Sequence, residues 1–136
     1  MRAHWLAVSA VSLSLLPVPQ ASAQEAAAPQ GGPAVVEGGV GTAVMDREPQ
    51  GIAESFPATV GTVYCFTKVG QTQAGTTIEH VWYFGDEEVA RKELPIGGSP
   101  WRTWSSKTIP AEATGAWRVD VVAGGTVIKS FAFTVQ

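Results

Sequence analysis

The chain has 136 residues, with 9 Lys and Arg, 12 Asp and Glu and a formal charge of −3, which leaves room for one small domain. This acidic balance excludes the basic stripe that a nucleic-acid partner requires, and no polybasic segment is present for anionic lipid. The chain contains one cysteine. No intramolecular disulfide can therefore form, and the fold must depend on its hydrophobic core.

Residues 1–23 have the pattern of a cleavable signal peptide. Arg2 and His4 precede an apolar run over residues 6–16, which is too short for a permanent membrane span. The small residues Ala21-Ser22-Ala23 then provide a signal peptidase site. The alternative is an uncleaved signal anchor. We predict cleavage after Ala23, and therefore a periplasmic or secreted protein that is not an integral membrane protein after cleavage.

Residues 24–42 are rich in Ala, Gly and Pro and contain no aromatic side chain. Such a segment cannot bury enough surface to compensate for its loss of conformational entropy. We therefore predict a disordered tether over residues 24–42, followed by a single β-sandwich domain over residues 43–136.

From residue 43 onward, short runs rich in Val, Ile, Thr and aromatic residues alternate with Gly and Pro, a pattern typical of antiparallel sandwiches and barrels. The predicted strands cover residues 43–46, 61–69, 77–84, 87–94, 101–108, 115–122 and 126–135. Residues 47–57 are predicted to form a loop or one helical turn. Gly85-Asp86 and Gly124-Gly125 have the composition of two-residue hairpin turns. About seven strands in about ninety residues predict an immunoglobulin-like sandwich, without the cysteine pair and intervening tryptophan of antibody domains.

Alternation along the strands assigns several side chains to structural roles. Trp117 shares a face with Val119 and Val121, whereas Arg118 lies on the opposite face, where stacking on an indole would brace neighbouring strands. Cys65 is predicted to be a small buried side chain, and an intermolecular disulfide is the alternative. We predict structural roles for Trp117, Arg118 and Cys65.

The segment Trp101-Arg102-Thr103-Trp104-Ser105-Ser106-Lys107 places two tryptophans and two basic residues within seven positions. In one interpretation the tryptophans belong to the core and Arg102 stacks on an indole. In the other, an exposed indole beside guanidinium and hydroxyl groups binds a sugar ring or a peptide. Pairing of strand 77–84 with strand 101–108 would bring further candidates to this surface. The candidate ligand-binding residues are His80, Trp82, Arg102, Trp104 and Ser106.

Residues suited to catalysis or metal binding are sparse. His80 is the only histidine after the signal peptide, and no G-x-S-x-G motif marks Ser105 or Ser106 as a nucleophile. A zinc site needs three or four clustered ligands, whereas the one histidine and one cysteine lie in different predicted strands. Asp86-Glu87-Glu88 lacks the spacing of a calcium loop and is typical of a solvated hairpin tip. We predict no catalytic residue, no metal and no cofactor.

Several segments together carry a resemblance to a known family: Tyr64-Cys65-Phe66-Thr67, Ile78-Glu79-His80-Val81-Trp82-Tyr83, Trp101 to Lys107, Gly115-Ala116-Trp117-Arg118-Val119 and Phe133-Thr134-Val135. Residues 63–135 resemble a bacterial domain of unknown function that is found in exported and envelope-associated proteins. Arg47-Glu48-Pro49 is similar to the leading segment of that family. Trp104 stands where the family usually has a tyrosine. The resemblance implies a compact β domain and no activity, substrate or cofactor.

These observations favour a non-enzymatic periplasmic module that binds a cell-envelope glycan, a peptide or an envelope protein. An alternative is an accessory subunit of an envelope complex that has no small ligand and pairs through an edge strand. A third hypothesis, which the sparse catalytic residues disfavour, is a hydrolase that uses His80. The sequence leaves the oligomeric state, the partner and the exposure of each tryptophan open.

Overall fold

A computed structural model describes residues 32–136, and the predicted signal peptide lies outside them. The regular structure of this part of the chain consists of strands without any helix. The strands are β1 (Ala34–Gly41), β2 (Ala43–Met45), β3 (Glu48–Gln50), β4 (Ser55–Phe56), β5 (Thr62–Gly70), β6 (Thr77–Phe84), β7 (Glu87–Pro95), β8 (Trp101–Thr108), β9 (Gly115–Ala123) and β10 (Thr126–Val135). A helix able to cross a membrane is therefore not found among residues 32–136.

Two sheets enclose the core. One has three strands in the order β1-β5-β8, and the other has five in the order β4-β10-β9-β6-β7. Pairing within them is antiparallel, except that the two residues of β4 run parallel to the end of β10. Strands β2 and β3 form a separate hairpin. This arrangement confirms the predicted all-β sandwich.

The seven predicted strands correspond to β2 and β5–β10, and their ends agree within one residue. Both predicted hairpin turns are also present. Gly85, Gly124 and Gly125 have φ values of 60°, 58° and 81° in these turns. Glycine adopts such left-handed conformations without the steric cost that a Cβ atom brings, which is why these pairs of residues were recognisable as turns.

The prediction of a tether as far as residue 42 is wrong for Ala34–Gly41, which forms β1 and pairs along its length with β5. Glycines made this segment resemble a linker, yet they are what allows the strand to lie close to its neighbours. A Cβ atom on Gly38 would meet the ring of Phe131, and one on Gly39 would meet the side chain of Ile52. The predicted loop over residues 47–57 likewise contains β3 and β4.

The hairpin of β2 and β3 turns at Asp46 and Arg47, whose φ values of 52° and 63° are uncommon for residues with a side chain. Two contacts hold this hairpin to β8. The Arg47 guanidinium lies 5.7 Å from the centre of the Trp101 ring, and Glu48 forms an ion pair with Arg102 at 3.1 Å. These contacts position the hairpin beside β8.

The core between the sheets contains the tryptophan that the sequence analysis considered missing. Antibody domains pack a buried tryptophan against a disulfide that joins their two sheets. Here Trp82 of β6 lies in one buried cluster with Cys65 of β5 and Val119 of β9. Cys65 is free and fully buried, which agrees with its predicted core position and does not fit an intermolecular disulfide.

Candidate functional site

The five predicted binding residues fall into two groups. His80 and Trp82 lie on the inner face of β6 and are 0 % exposed. Arg102, Trp104 and Ser106 alternate onto the outer face of β8. The pairing that would have brought them together does not occur, because β6 and β8 belong to different sheets and β8 pairs with β5. The two strands instead face each other across the core, so that the predicted residues do not form one surface.

A chain of hydrogen bonds crosses the core between the two sheets. The His80 ring lies between two hydroxyl groups, with Nδ1 at 2.7 Å from Ser105 Oγ and Nε2 at 3.1 Å from Thr67 Oγ1. Trp82 Nε1–H donates to Ser105 Oγ at 3.2 Å, and the Thr67 hydroxyl donates to the Thr103 carbonyl at 3.4 Å. Ser105, at 7 % exposed, is the only one of the four participating side chains that solvent reaches.

The two ends of this chain determine its direction, because an indole N–H only donates and a carbonyl only accepts. With its proton on Nε2, His80 donates to Thr67 and accepts from Ser105, so every donor has an acceptor. Burial lowers the pKa of His80 from 6.5 to about 4, and the imidazole is therefore neutral at pH 7. A proton on Nδ1 would leave the Ser105 hydroxyl without an acceptor in this cluster.

The contact between Ser105 and His80 is the one on which the hydrolase hypothesis depends. A nucleophilic serine normally uses a histidine that a third group, usually a carboxylate, orients. Here the second ring nitrogen of His80 contacts Thr67 instead, and Ser105 Oγ already accepts the Trp82 N–H. This geometry suits a buried brace between the sheets. No cluster of metal-ligating side chains occurs within residues 32–136.

The outer face of β8 presents an exposed indole. Trp104 is 37 % exposed, whereas Trp82 and Trp117 are 0 % and 4 % exposed. Arg102 and Ser106 lie on the same face, two residues before and after it. We call Arg102, Trp104 and Ser106 the Trp104 surface. Alternation along this strand correctly predicted the shared face of Arg102, Trp104 and Ser106, whereas the candidates His80 and Trp82 lie in the core.

Two shallow hollows meet at Trp104. One has a volume of about 420 Å³ and lies toward the hairpin of β2 and β3. It is also lined by Arg47, Pro95, Trp101, Arg102 and Thr103. The other has a volume of about 480 Å³ and lies toward β7. It is also lined by Tyr64, Arg91, Lys92, Glu93, Leu94, Ser105 and Ser106. Because β7 and β8 are edge strands of the two sheets, both hollows open along one edge of the sandwich.

The Arg102 guanidinium at this edge is only partly paired. One terminal nitrogen pairs with Glu48 at 3.1 Å, and Arg102 stacks on no indole among the described residues. Its Nε–H is buried and has no hydrogen-bond partner among the described residues. An unpaired buried donor is costly, so a small rotation that lets this group reach a ligand oxygen would be favourable.

On the β7 side, Arg91 is held by two carboxylates, at 2.8 Å from Glu79 and 2.7 Å from Glu88. These hydrogen bonds, the one to Glu79 first, raise the pKa of Arg91 above its ordinary value. Lys92 is exposed and has no ion-pair partner within the described part of the chain. A ligand at this hollow therefore meets a free ammonium group in Lys92 and a guanidinium in Arg91 that is already neutralised.

Two other predicted residues lie away from this surface. Trp117 is buried, and its Nε1–H donates to the Ala113 carbonyl at 3.0 Å. The Arg118 guanidinium lies 4.3 Å from the centre of the Tyr83 ring and donates to Asp120 at 3.0 Å. The prediction that Arg118 stacks on an indole is therefore wrong. Its neighbour in register on β6 is Tyr83, and this pairing was not predictable without the sheet order.

Sequence reasoning missed several residues that line the two hollows. Arg47 lines one of them from a hairpin that was expected to be a loop, and Glu48 of the same hairpin reaches β8 through its ion pair with Arg102. Tyr64 and Lys92 reach it from β5 and β7. Arg47 and Glu48 belong to the segment that resembles the leading segment of the family, and this likeness could have drawn attention to them. No sequence pattern singled out Tyr64 or Lys92.

Part of the chain is similar to a protein family without a known function. A model described as "Protein of unknown function (DUF2914)" matches residues 75–135. The similarity to this family therefore covers residues 75–135. It runs through β6–β10 and contains all five predicted binding residues. The proposed resemblance of residues 47–49 and 64–67 lies outside the match and stays a prediction.

Comparison with solved structures supports the fold. An immunoglobulin-like protein from Pseudomonas aeruginosa has a TM-score of 0.57 and 16 % identity, over 79 % of this chain and 99 % of its own. An alkylpurine DNA glycosylase from Pseudomonas fluorescens, bound to DNA containing an abasic site analogue, has a TM-score of 0.48 and 11 % identity, over 76 % of this chain and 30 % of its own. No curated protein matched the sequence. The first similarity shows that the chain has an immunoglobulin-like fold.

Proposed function

We propose that this protein is a non-enzymatic binding module of the bacterial cell envelope that holds a glycan against the Trp104 surface. The observation that carries the proposal is the exposed indole of Trp104 at the meeting point of two hollows. A large aromatic side chain left in solvent loses the burial free energy that its neighbours in the core gain. A function at the surface explains why such a side chain is found there.

The groups around Trp104 suit a sugar chain. The flat apolar face of an indole covers the C–H face of a pyranose ring, while neighbouring donors bind its hydroxyl or acyl oxygens. Arg102 has an unused Nε–H, and Ser106 offers an exposed hydroxyl. A hollow on each side of the indole provides room for the sugar units before and after the stacked one. The envelope location rests on the predicted signal peptide.

The proposal is tested by titrating residues 24–136 with soluble peptidoglycan fragments and following the intrinsic tryptophan fluorescence. We expect a saturable change at millimolar concentration or below. Trp104→Ala should weaken binding about tenfold or more, because truncating a central aromatic contact removes at least about 1.4 kcal/mol. Val127→Ala is the matched control, since Val127 is exposed and lies on β10. A flat titration up to several millimolar would remove the glycan proposal.

A second candidate function is that of an accessory subunit that joins an envelope complex through strand pairing. The observation that favours it is the set of open strand edges in this small sandwich. Each sheet ends in a long strand, β8 in one and β7 in the other, that has a sheet neighbour on only one side within residues 32–136. Mild crosslinking followed by purification tests it. A stoichiometric protein partner, together with no response to glycans, would favour this candidate over the binding module.

A further inference from the structure

The sandwich has a second open edge, opposite the Trp104 surface, where β1 and β10 approach each other. A hollow of about 720 Å³ lies between them, larger than either hollow beside Trp104. Its floor includes Gly38 of β1 and Phe131 of β10, and its rim carries Val36, Ile52 and Glu54. Val36 and Ile52 are 61 % and 52 % exposed. We call this feature the edge hollow.

The hydrogen bonds near the edge hollow show which backbone groups point into it. Thr134 N–H donates to the Glu54 carbonyl at 2.9 Å, and Gln136 N–H donates to the Phe56 carbonyl at 3.0 Å. Because backbone groups alternate between the two edges of a strand, Ser130 and Ala132 point their N–H and C=O groups toward the same side. These two residues follow directly along the β10 edge from the part that β4 occupies.

The edge of β1 that faces the hollow also has only part of its backbone groups paired. The Val40 carbonyl accepts a hydrogen bond from Ala53 N–H at 3.0 Å, so the outer edge of β1 is satisfied at that point. By alternation the backbone groups of Gly38 point to the same side, and no strand pairs with them there within residues 32–136. Residues 53–56 therefore cover one half of the gap between β1 and β10 and leave the other half open.

The charges around the edge hollow are mostly negative. Glu37 and Glu54 are exposed, and neither forms an ion pair within the described residues. Glu48 also lines the hollow, but Arg102 neutralises it. Lys129 contributes the one basic group of the lining, and its ammonium group lies 5.9 Å from the centre of the Phe131 ring.

We propose that the edge hollow binds an extended segment of a partner protein in which basic and apolar residues alternate. The segment adds a strand to the open edge of β10 in line with β4, and its backbone pairs with Ser130 and Ala132. Every second side chain then covers the exposed Val36 and Ile52, while the basic side chains meet Glu37 and Glu54. Unpaired strand edges template such additions, and the negative rim selects the charge of the strand that is added.

The test uses residues 24–136 labelled with ¹⁵N and a capped octapeptide of four Lys-Val repeats. We expect saturable chemical-shift changes centred on the amides of Gly38, Ser130 and Ala132. A capped octapeptide of four Glu-Val repeats is the charge control and should bind at least about tenfold more weakly. Val89→Ala should leave binding of the Lys-Val peptide unchanged, because Val89 is exposed on β7, at the opposite end of the five-stranded sheet.

Two variants keep the test independent of any single substitution. Ala132→Pro removes an N–H that points away from β9, so the ladder with β9 stays intact while the added strand loses its partner. The double variant Glu37→Lys with Glu54→Lys reverses the charge of the rim and leaves the backbone unchanged. Each should weaken binding of the Lys-Val peptide at least about fivefold. Shifts elsewhere, equal binding of the two peptides, no binding at millimolar concentration, or unchanged binding in both variants would overturn the proposal.

Discussion

His80 Nδ1 lies 2.7 Å from Ser105 Oγ, and this hydrogen bond joins the five-stranded sheet to the three-stranded sheet through the core. Both side chains come from segments that the sequence analysis considered for binding or catalysis. Because both are buried and hydrogen-bonded to each other and to further core residues, they stabilise the fold.

Acid should destabilise the protein through His80. Burial lowers the pKa of His80 from 6.5 to about 4, so the unfolded chain binds more protons than the folded chain between these values. The free energy of unfolding therefore rises with pH across this window, and the contribution of His80 is complete above pH 6.5 and lost as the pH falls toward 4. The full effect is about 3 kcal/mol. Urea denaturation at several pH values measures it. His80→Asn should flatten the curve in this window, and an unchanged slope would contradict the assignment.

Ser105→Ala should destabilise the fold by about 1–3 kcal/mol, because it leaves the buried Trp82 N–H without its acceptor and His80 Nδ1 without its donor. Ser106→Ala is the control, since Ser106 is the next residue along β8 and its side chain is exposed. Its effect should stay within about 0.5 kcal/mol. Equal losses in the two variants, measured by chemical denaturation, would show that the hydrogen-bond chain adds no stability.

Acrylamide should quench Trp104 far more than the buried Trp82 and Trp117. Residues 24–136 contain four tryptophans, of which Trp104 is 37 % exposed and Trp82 is 0 % exposed. Trp104→Phe should therefore lower the quenching constant, whereas Trp82→Phe should not lower it. Stern–Volmer plots of the two variants make the comparison. If Trp82→Phe lowers the quenching constant as much as Trp104→Phe does, the described faces of β6 and β8 are wrong.

Cys65 should be unreactive in the folded protein. It is fully buried, and burial raises the pKa of its thiol well above the ordinary value, so almost no thiolate is present at neutral pH. We expect labelling by a thiol reagent such as 5,5′-dithiobis(2-nitrobenzoic acid) only at the rate of unfolding. Labelling in urea provides the positive control. Rapid labelling of the native protein, or a disulfide-linked dimer on a non-reducing gel, would contradict this.

Side-chain patterns predicted the long strands well, because alternation and turn glycines are properties of short stretches of chain. They failed for β1, where Gly38 and Gly39 made a strand resemble a linker. The pairing with β5 that stabilises this strand lies about thirty residues away in the sequence. The turn at Asp46 and Arg47 was missed for a related reason. It lacks glycine, and contacts with β8 hold it in place.

The candidate site was predicted in part for the same physical reason. Alternation correctly placed Arg102, Trp104 and Ser106 on one face of their strand. Whether His80 and Trp82 join them depends on which strands share a sheet, and several strand orders satisfy the same alternation. Only the folded arrangement shows that β6 faces β8 across the core instead of lying beside it.

The hydrogen-bond chain through His80 also bears on how β8 finds its correct alignment. Ser105 lies opposite Cys65 on β5, and a slip of two residues would keep every side chain on its proper face. Hydrophobic burial alone distinguishes such alignments poorly. A slip in one direction, however, would bring the charged Lys107 toward His80, and a slip in the other would bring Thr103. The Lys107 ammonium has no lone pair to accept the Trp82 N–H, and Thr103 would bring an additional methyl group into the buried space beside His80. The polar cluster therefore favours the observed alignment of β5 and β8.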